Sequence, residues 1–227
     1  MALSNSYDFT VTRNDLIRDA LLEIGAIDAG EDPPSTIILD VSRQLNMMVK
    51  SWNTKYNLWR FTDLTVTLDG SQSYTIGPAG DVVAQRPLKI THGRRVESAG
   101  YEVPITVFSL QEYKDQPMKS ATGTVVAVAY DPQLTAGVLF VWPAATSGSL
   151  IVTALMPLMD LDTASDNPQF PGEWALCLAT NLAVRIHPQF PGTVLQPETV
   201  QTALMTLEDL QNFDSESTSM FISPEFE

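Results

Sequence analysis

The chain has 227 residues, of which 44% are hydrophobic and 18% charged, and its formal net charge is −14. This composition is that of a globular protein large enough to bury a core. Residues 1–119 carry 12 basic and 15 acidic side chains (−3), and residues 120–227 carry 1 and 12 (−11). Such a balance excludes phosphate neutralisation as a source of affinity for nucleic acid, and it disfavours an anionic membrane surface.

The cysteine content and the chain start indicate the compartment. The single cysteine, Cys177, excludes an intramolecular disulfide. The start, MALSNSYDFT, lacks the basic and apolar regions of a signal peptide. The longest apolar runs are too short to cross a bilayer. The sequence therefore predicts a protein made in the cytoplasm without a membrane partner.

Two amphipathic helices are predicted first, at about 13–24 and 36–56. Thr12 and Asp15 have the spacing of a capping box, and Gly25 stands where a helix commonly ends. Apolar residues of the second helix recur every three or four positions, which marks one face: Ile38, Val41, Leu45, Met48, Trp52 and Tyr56. A short loop between the helices favours an antiparallel pair.

A β-rich part is predicted over about 58–158, with a short helix near 109–116. The run LWRFTDLTVTLDGSQSYTI alternates apolar and polar residues, and Asp69-Gly70 is a turn signal. Three strand-like runs follow, TVVAVAYDP, GVLFVWP and SLIVTALMPL. Their spacing predicts hairpins or a small antiparallel sheet.

Helical periodicity returns at about 172–187 and 197–212. The predicted fold class is therefore α+β, an antiparallel helical bundle with a β-hairpin or small antiparallel sheet part, in one domain over 1–212. Residues 213–227 are acidic and rich in serine, which predicts a flexible C-terminal tail. Its apolar side chains are candidate contacts with a partner: Phe213, Phe221, Ile222 and Phe226.

The segment SYTIGPAGDVVAQRPLKI contains glycines that suggest a phosphate-binding loop. Such a loop needs free backbone N–H groups, a lysine and a helix directly behind it. Pro78 removes one N–H, no Lys-Ser/Thr pair follows, and the next residues are β-like. A nucleotide site is therefore not predicted here.

A search for other chemistry gives no catalytic, cofactor-binding or metal-binding candidate. His92 and His187 are the two histidines, and neither has a second ligand at helical or hairpin spacing. Cys177 lies among apolar neighbours and is predicted to be a buried small hydrophobe. The run DLDTASDN (160–167) lacks the central glycine and the last glutamate of a calcium loop, which favours a solvated turn.

Several segments stand in a recognisable order: ALLEIGAIDAGEDP, LNMMVKSWNTKYNLW, YTIGPAGDVVAQRPLKI, EYKD, YDP, LFVWPAA and PGEWALCLATNLAVRI. This series, from about residue 12 to 192, resembles the head-to-tail adaptors of short-tailed bacteriophages. These are also called tail accessory, head-completion or tail tubular A proteins. After about Phe213 no pattern of the family continues.

The resemblance implies a subunit with a helical bundle and a β-rich part, found in the tail or neck of a virion. Twelve copies would form a ring beneath the portal protein, extend the DNA channel, help retain packaged DNA and hold the tail nozzle and the tail fibres or spikes. It implies no enzymatic activity. Gly77, Pro78, Ala79 and Gly80 would form the exposed loop of a hairpin. The tail contact rests on composition and not on the resemblance, because the segment cannot fold alone and carries spaced apolar side chains, which predicts docking onto the portal or a neighbouring subunit. Duplex DNA would pass without specific binding, because an acidic wall repels phosphates.

Two other functions remain open at this point. A virion-associated cell-wall glycan hydrolase needs two carboxylates about 5 to 10 Å apart, and these can come from distant parts of a chain. A carbohydrate-binding β-module needs exposed aromatic residues on its sheet, whereas the aromatic residues here follow the apolar pattern.

Overall fold

The computed structural model of the chain describes residues 9–54, 60–97 and 100–213. The chain forms two compact units. Unit 1 comprises Met1–Leu58 and Leu158–Glu227, and unit 2 is the intervening segment Trp59–Pro157. The regular structure described in unit 1 is helical, whereas that in unit 2 is mainly β.

The first two helices of unit 1 begin at recognisable sequence signals. α1 (Arg13–Glu23) starts with a capping box in which the Thr12 hydroxyl accepts from the Asp15 N–H at 3.2 Å. The Asp15 carboxylate accepts in return from the Thr12 N–H at 2.9 Å. α2 (Ser35–Ser51) continues into a 3-10 turn, Trp52–Thr54. The last two residues of the predicted second helix, 55 and 56, lie outside the described residues.

The chain returns to unit 1 at Leu158 and adds two more helices. α4 (Ala175–Ile186) follows a 3-10 turn, Gly172–Trp174, and α5 spans Pro197–Phe213. α1, α2 and α4 pack against one another. Their shared core consists of fully buried apolar side chains: Leu16, Ile17, Leu21, Leu45, Leu178, Leu182 and Ile186.

The returning segment is attached to α2 by hydrogen bonds to backbone groups. The Asn46 side chain accepts from the Leu161 N–H at 2.9 Å and donates to the Leu161 carbonyl at 3.1 Å. The Lys50 ammonium donates to the Leu158 carbonyl at 2.6 Å. An extended segment with no sheet partner must satisfy its backbone groups in this way.

Unit 2 is built on one eight-stranded sheet with strand order β1-β8-β4-β5-β6-β7-β2-β3. β5–β6 and β2–β3 are parallel pairs, and the other neighbouring strands are antiparallel. The edge strands β1 and β3 approach each other, so the sheet nearly closes on itself. The elements are β1 (Phe61–Thr67), β2 (Ser73–Gly77), β3 (Val82–Val83), β4 (Lys89–Val96), β5 (Glu102–Phe108), α3 (Leu110–Lys114), β6 (Ala127–Asp131), β7 (Gly137–Trp142) and β8 (Ser149–Leu155).

The predicted fold class, a helical bundle with a small antiparallel sheet, is wrong. The sheet has eight strands, contains parallel pairs and forms the framework of a whole unit. The difference arises largely at β4 and β5, whose sequences KITHGRRV and EVPITVF carry charged residues or proline and give little strand signal. α3 lies in the connection that makes β5 and β6 parallel, as such a crossover requires.

Alternate residues of the central strands face the core of unit 2. Along β7, buried and half-buried residues alternate without interruption, which is the period of a pleated strand. The buried side chains that meet inside the sheet include Val66, Tyr74, Ile76, Leu139, Val141, Leu150 and Val152. The apolar interior of unit 2 is thus built from alternate residues of several strands.

Candidate functional site

The glycine-containing loop follows β2 directly and is shaped by close backbone approach. A Cβ atom on Gly77 would lie 2.7 Å from the Cβ of Ala136, and one on Gly80 would lie 2.6 Å from the Thr75 carbonyl oxygen. Neither position therefore has room for a side chain. Close packing therefore accounts for both glycines, and they are not evidence of a phosphate-binding site.

The loop differs from the predicted exposed hairpin in two respects. β2 and β3, which flank it, pair in parallel with Ile76 opposite Val82, so it is no hairpin turn. Gly77 is buried and Gly80 half-buried, which leaves Pro78 and Ala79 exposed. The loop therefore presents one short turn, and the rest of it belongs to the packed rim of the sheet.

Asp81 holds this loop in place through Thr75. Its carboxylate accepts from the Thr75 N–H and from the Thr75 hydroxyl, each at 2.8 Å. The Asp81 N–H donates back to the same hydroxyl at 3.0 Å. The bond from the Thr75 N–H and, after it, the bond from the Thr75 hydroxyl hold the pKa of Asp81 below its usual value, because both favour the charged carboxylate.

Acidification is expected to destabilise the chain through carboxylates of this kind. Hydrogen bonds from Thr12, Thr153, Thr75 and Thr163 lower the pKa values of four aspartates, which are Asp15, Asp63, Asp81 and Asp166. An aspartate with a lowered folded pKa contributes stability that is present above its unfolded pKa, near 3.8, and lost as the pH falls through the folded pKa.

We therefore expect the urea midpoint to fall on going from pH 6 to pH 3, and Asp81→Asn to make this dependence shallower. Asp19 acts in the opposite direction, because burial raises its pKa. The measurement is urea unfolding followed by circular dichroism at a series of pH values. A midpoint that stays constant down to pH 3 would contradict the expectation.

Of the four predicted partner contacts at the C-terminus, one lies within the described residues and three lie outside them. Phe213 is the last residue of α5 and is 80% exposed. Phe221, Ile222 and Phe226 lie outside the described residues. Phe213 thus belongs to a helix and not to the predicted tail.

The residues considered for chemistry occupy structural positions. The Asp166 carboxylate accepts from the N–H groups of Asp162 and Thr163 at 2.7 and 2.6 Å, which makes the 162–166 segment a capped turn. Cys177 is fully buried in α4. His92 contacts the neighbouring Thr91 hydroxyl, and His187 contacts the Thr193 carbonyl. Within the described ranges, no group of three or more His, Cys, Asp or Glu residues could hold a metal.

One ion-pair cluster crosses four strands of unit 2. Arg94 on β4 bonds to Asp63 on β1 at 2.5 Å and to Glu102 on β5 at 2.9 Å. Thr153 on β8 donates to Asp63 at 2.6 Å. The Thr153 and Arg94 bonds lower the pKa of Asp63, whereas a glycosidase acid needs a raised pKa. The cluster therefore resembles a cross-strand tie and not an acid–base pair.

A polar cavity of about 470 Å³ lies at the rim of unit 2. Segments 122–125 and 144–149 form its walls together with Arg95 and Glu97. The Arg95 guanidinium donates to the Glu97 carboxylate at 2.6 Å and to the Val125 carbonyl at 3.3 Å. Its charge is thus already neutralised within the cavity wall.

α4 and α5 of unit 1 expose large apolar residues. α5 packs through its small residues: Thr199 and Ala203 are buried, and the Asn181 side chain of α4 donates to the Ala203 carbonyl at 3.0 Å. The apolar residues whose spacing predicted this helix are only partly covered: Val200, Leu207 and Leu210 are half-buried and Leu204 is exposed. The large exposed side chains on these helices are Leu176, Leu204, Met205 and Phe213, and several exposed large apolar residues on one pair of helices are a candidate interaction site.

A second exposed surface lies on α2. Leu39 and Met47 are 67% and 43% exposed and do not belong to the stripe that predicted the buried face. Sequence reasoning missed this surface, although apolar residues on two faces of one helix were the available signal. Both surfaces lie on unit 1, which carries 6 basic and 19 acidic residues (−13), whereas unit 2 carries 7 and 8 (−1).

Comparison with known proteins gives weak likenesses only. No protein-family model matches the chain, and no curated protein matches it. A solved chain described as "Neck of empty GTA particle computed with C6 symmetry" is 13% identical, with 94% of this chain and 97% of that chain covered and a TM-score of 0.31. Another, "Neck of native GTA particle computed with C12 symmetry", is 14% identical at the same coverage, with a TM-score of 0.26. Scores this low do not establish a shared fold. Among the helices of the described segments, none has the length and hydrophobicity to cross a membrane.

Proposed function

We propose that this chain is a structural head-to-tail adaptor of a phage virion. Twelve copies form a ring beneath the portal protein, extend the DNA channel, help retain packaged DNA and provide the platform for the tail nozzle and the fibres or spikes. The observation that carries the proposal is the ordered series of segments from about residue 12 to 192 that resembles this family. The role is structural and needs no catalysis.

The resembling segments occupy parts of the chain that define its two units. LNMMVKSWNTKYNLW contains Leu45, which is fully buried, and PGEWALCLATNLAVRI contains the buried face of α4. YTIGPAGDVVAQRPLKI contains Gly77 and Gly80, whose positions have no room for a side chain. The likeness therefore falls on residues that the packing restricts, which supports a common architecture over a chance series of turns.

The exposed apolar surface of α4 and α5 is the contact that we assign to the neighbouring subunit in the ring. Leu204 and Met205 are 64% and 62% exposed. Burying a large apolar side chain contributes about 1.5 to 3 kcal/mol. Repulsion between chains of charge −14 opposes assembly, so we expect the pure protein to be monomeric and the portal to template the ring.

Mixing the chain with the portal protein of its own genome tests the proposal. Native mass spectrometry is expected to show one chain per portal subunit. Leu204→Asp should weaken assembly strongly, because it places a charge in the contact between copies. Leu134→Asp is the matched control, since Leu134 is 95% exposed in unit 2. A single copy per portal ring, or no complex at all, would reject the adaptor function.

Weak binding to duplex DNA is a separate expectation. Residues 120–227 carry one basic and 12 acidic side chains, so the chain has few cations with which to neutralise phosphates. A gel-shift assay at physiological salt is expected to show no tight complex. Tight binding that weakens steeply with added salt would contradict the picture of a channel through which DNA slides.

A further inference from the structure

A groove of about 460 Å³ runs beside the outer face of α2 in unit 1. Leu39 and Met47 are its exposed apolar residues, and the buried Leu161 also lines it. Arg43 stands four residues from each of the first two, so all three side chains share one face of the helix. The volume is within the range of ordinary ligand pockets.

The basic residues of unit 1 are concentrated at this groove. Arg13, Arg43 and Lys50 line it, which is half of the six basic residues in the unit. The Arg13 guanidinium is nearly buried and donates to the Asp162 carbonyl at 2.7 Å. Lys50 pairs with Asp160 at 2.8 Å.

Arg43 is the cation that remains available for a ligand. It is exposed and makes no hydrogen bond or ion pair with another residue of the described ranges. Asp162 also lines the groove, and Asp160 lies beside it as the partner of Lys50. Three basic and two acidic residues give the site a net charge of +1, in a unit whose net charge is −13. An occupant should therefore be acidic and should carry large apolar side chains.

We propose that the groove binds residues 214–227 of the same chain. The sequence of this segment, DSESTSMFISPEFE, contains four acidic residues and no basic one. Phe221, Ile222 and Phe226 supply apolar side chains for Leu39 and Met47, and the glutamates near the end of the chain supply a partner for Arg43. Apolar burial and charge complementarity thus select the same segment.

The chain length makes this contact accessible without a second molecule. α5 ends at Phe213 in the same unit as the groove. Fourteen residues reach roughly 46 Å when extended, whereas a unit of 128 residues has a radius of gyration of about 14 Å. Tethering also gives an effective concentration in the millimolar range, which favours the chain's own segment over that of another copy.

Disulfide trapping in the full-length chain tests this docking. Met47→Cys with Ile222→Cys is expected to give an intrachain cross-link under mild oxidation, seen as a faster band on a non-reducing gel. The control pair is Val194→Cys with Ile222→Cys, because Val194 is 68% exposed on unit 1 and does not line the groove. Cys177 stays in place, since it is fully buried. We expect a several-fold higher yield for the first pair.

Charge variants and the form of the product complete the test. Arg43→Glu should lower the cross-link yield several-fold, and Arg185→Glu, on α4 outside the groove lining, should leave it unchanged. Equal yields for the two cysteine pairs, or no effect of Arg43→Glu, would overturn the proposal. A cross-link found only as a dimer that increases with concentration would also overturn it, by placing the segment on a second copy. No portal protein is needed, so the outcome is independent of the adaptor function.

Discussion

Replacing Leu45 with aspartate is expected to unfold unit 1. Leu45 is fully buried in α2, the helix that packs against α1 and α4. The change removes apolar contacts that cost about 2 to 5 kcal/mol on truncation, and it places a carboxylate at a fully buried position. The total approaches the whole stability of a typical domain, about 5 to 15 kcal/mol.

The measurement is thermal and urea unfolding followed by the helical circular dichroism signal. Val194→Asp is the matched control, because Val194 belongs to the same unit, is 68% exposed and does not line the groove beside α2. We expect this variant to change the free energy of unfolding by less than about 1 kcal/mol. A Leu45→Asp protein that melts cooperatively near the wild-type temperature would show that this face of α2 is not a core.

The helices could be predicted because their signals are local. Thr12 and Asp15 form the capping box that the spacing indicated, and the apolar positions of α2 that share one face include Val41, Leu45 and Met48, all buried. α5 was the exception. Its large apolar residues stay partly exposed because Thr199 and Ala203 make its close contacts, and the choice between two faces depends on the partner helix.

The β-rich part was predicted, but the number of strands and their pairing could not be, because the contacts that stabilise the sheet are distant in sequence. β4 contains Arg94, a charged residue that gives no strand signal by itself. Its place in the sheet depends on ion pairs with Asp63 and Glu102, which lie on two other strands. Pro104 in β5 likewise argues against a strand when read locally. The parallel pairing of β2 and β3 is similarly invisible, since a short glycine-rich connection normally predicts a hairpin.

The candidate surfaces were only partly accessible from the sequence. Phe213 was identified as a partner contact and is exposed, although that exposure does not test the contact. Leu39 and Met47 became visible only when the buried face of α2 was known. A large apolar residue indicates a partner contact only if it is exposed, and its exposure is known only once the fold is known.

Substituting Gly137 with alanine is expected to be the most damaging small change in unit 2. A Cβ atom there would overlap the phenol of Tyr130, at two ring carbons and at the hydroxyl oxygen. The ring cannot move freely, because its hydroxyl donates to the Pro87 carbonyl at 2.7 Å. Burial also raises the pKa of Tyr130 to about 12. Overpacking of this kind costs about 1 to 3 kcal/mol, and we expect the upper end.

A double-mutant cycle with Tyr130→Ala separates this clash from a general effect of alanine. If the ring is the obstacle, Gly137→Ala should cost at least about 2 kcal/mol less once Tyr130 is truncated, since the two changes then act as a coupled pair. Gly93→Ala is the comparison within the same sheet. Its Cβ would lie 2.9 Å from the Cγ1 of Ile105, a flexible side chain that can shift, so a smaller loss is expected. Urea unfolding of the four variants and the wild type measures all of these terms. If Gly137→Ala costs the same with and without the Tyr130 ring, the ring is not what excludes a side chain at position 137.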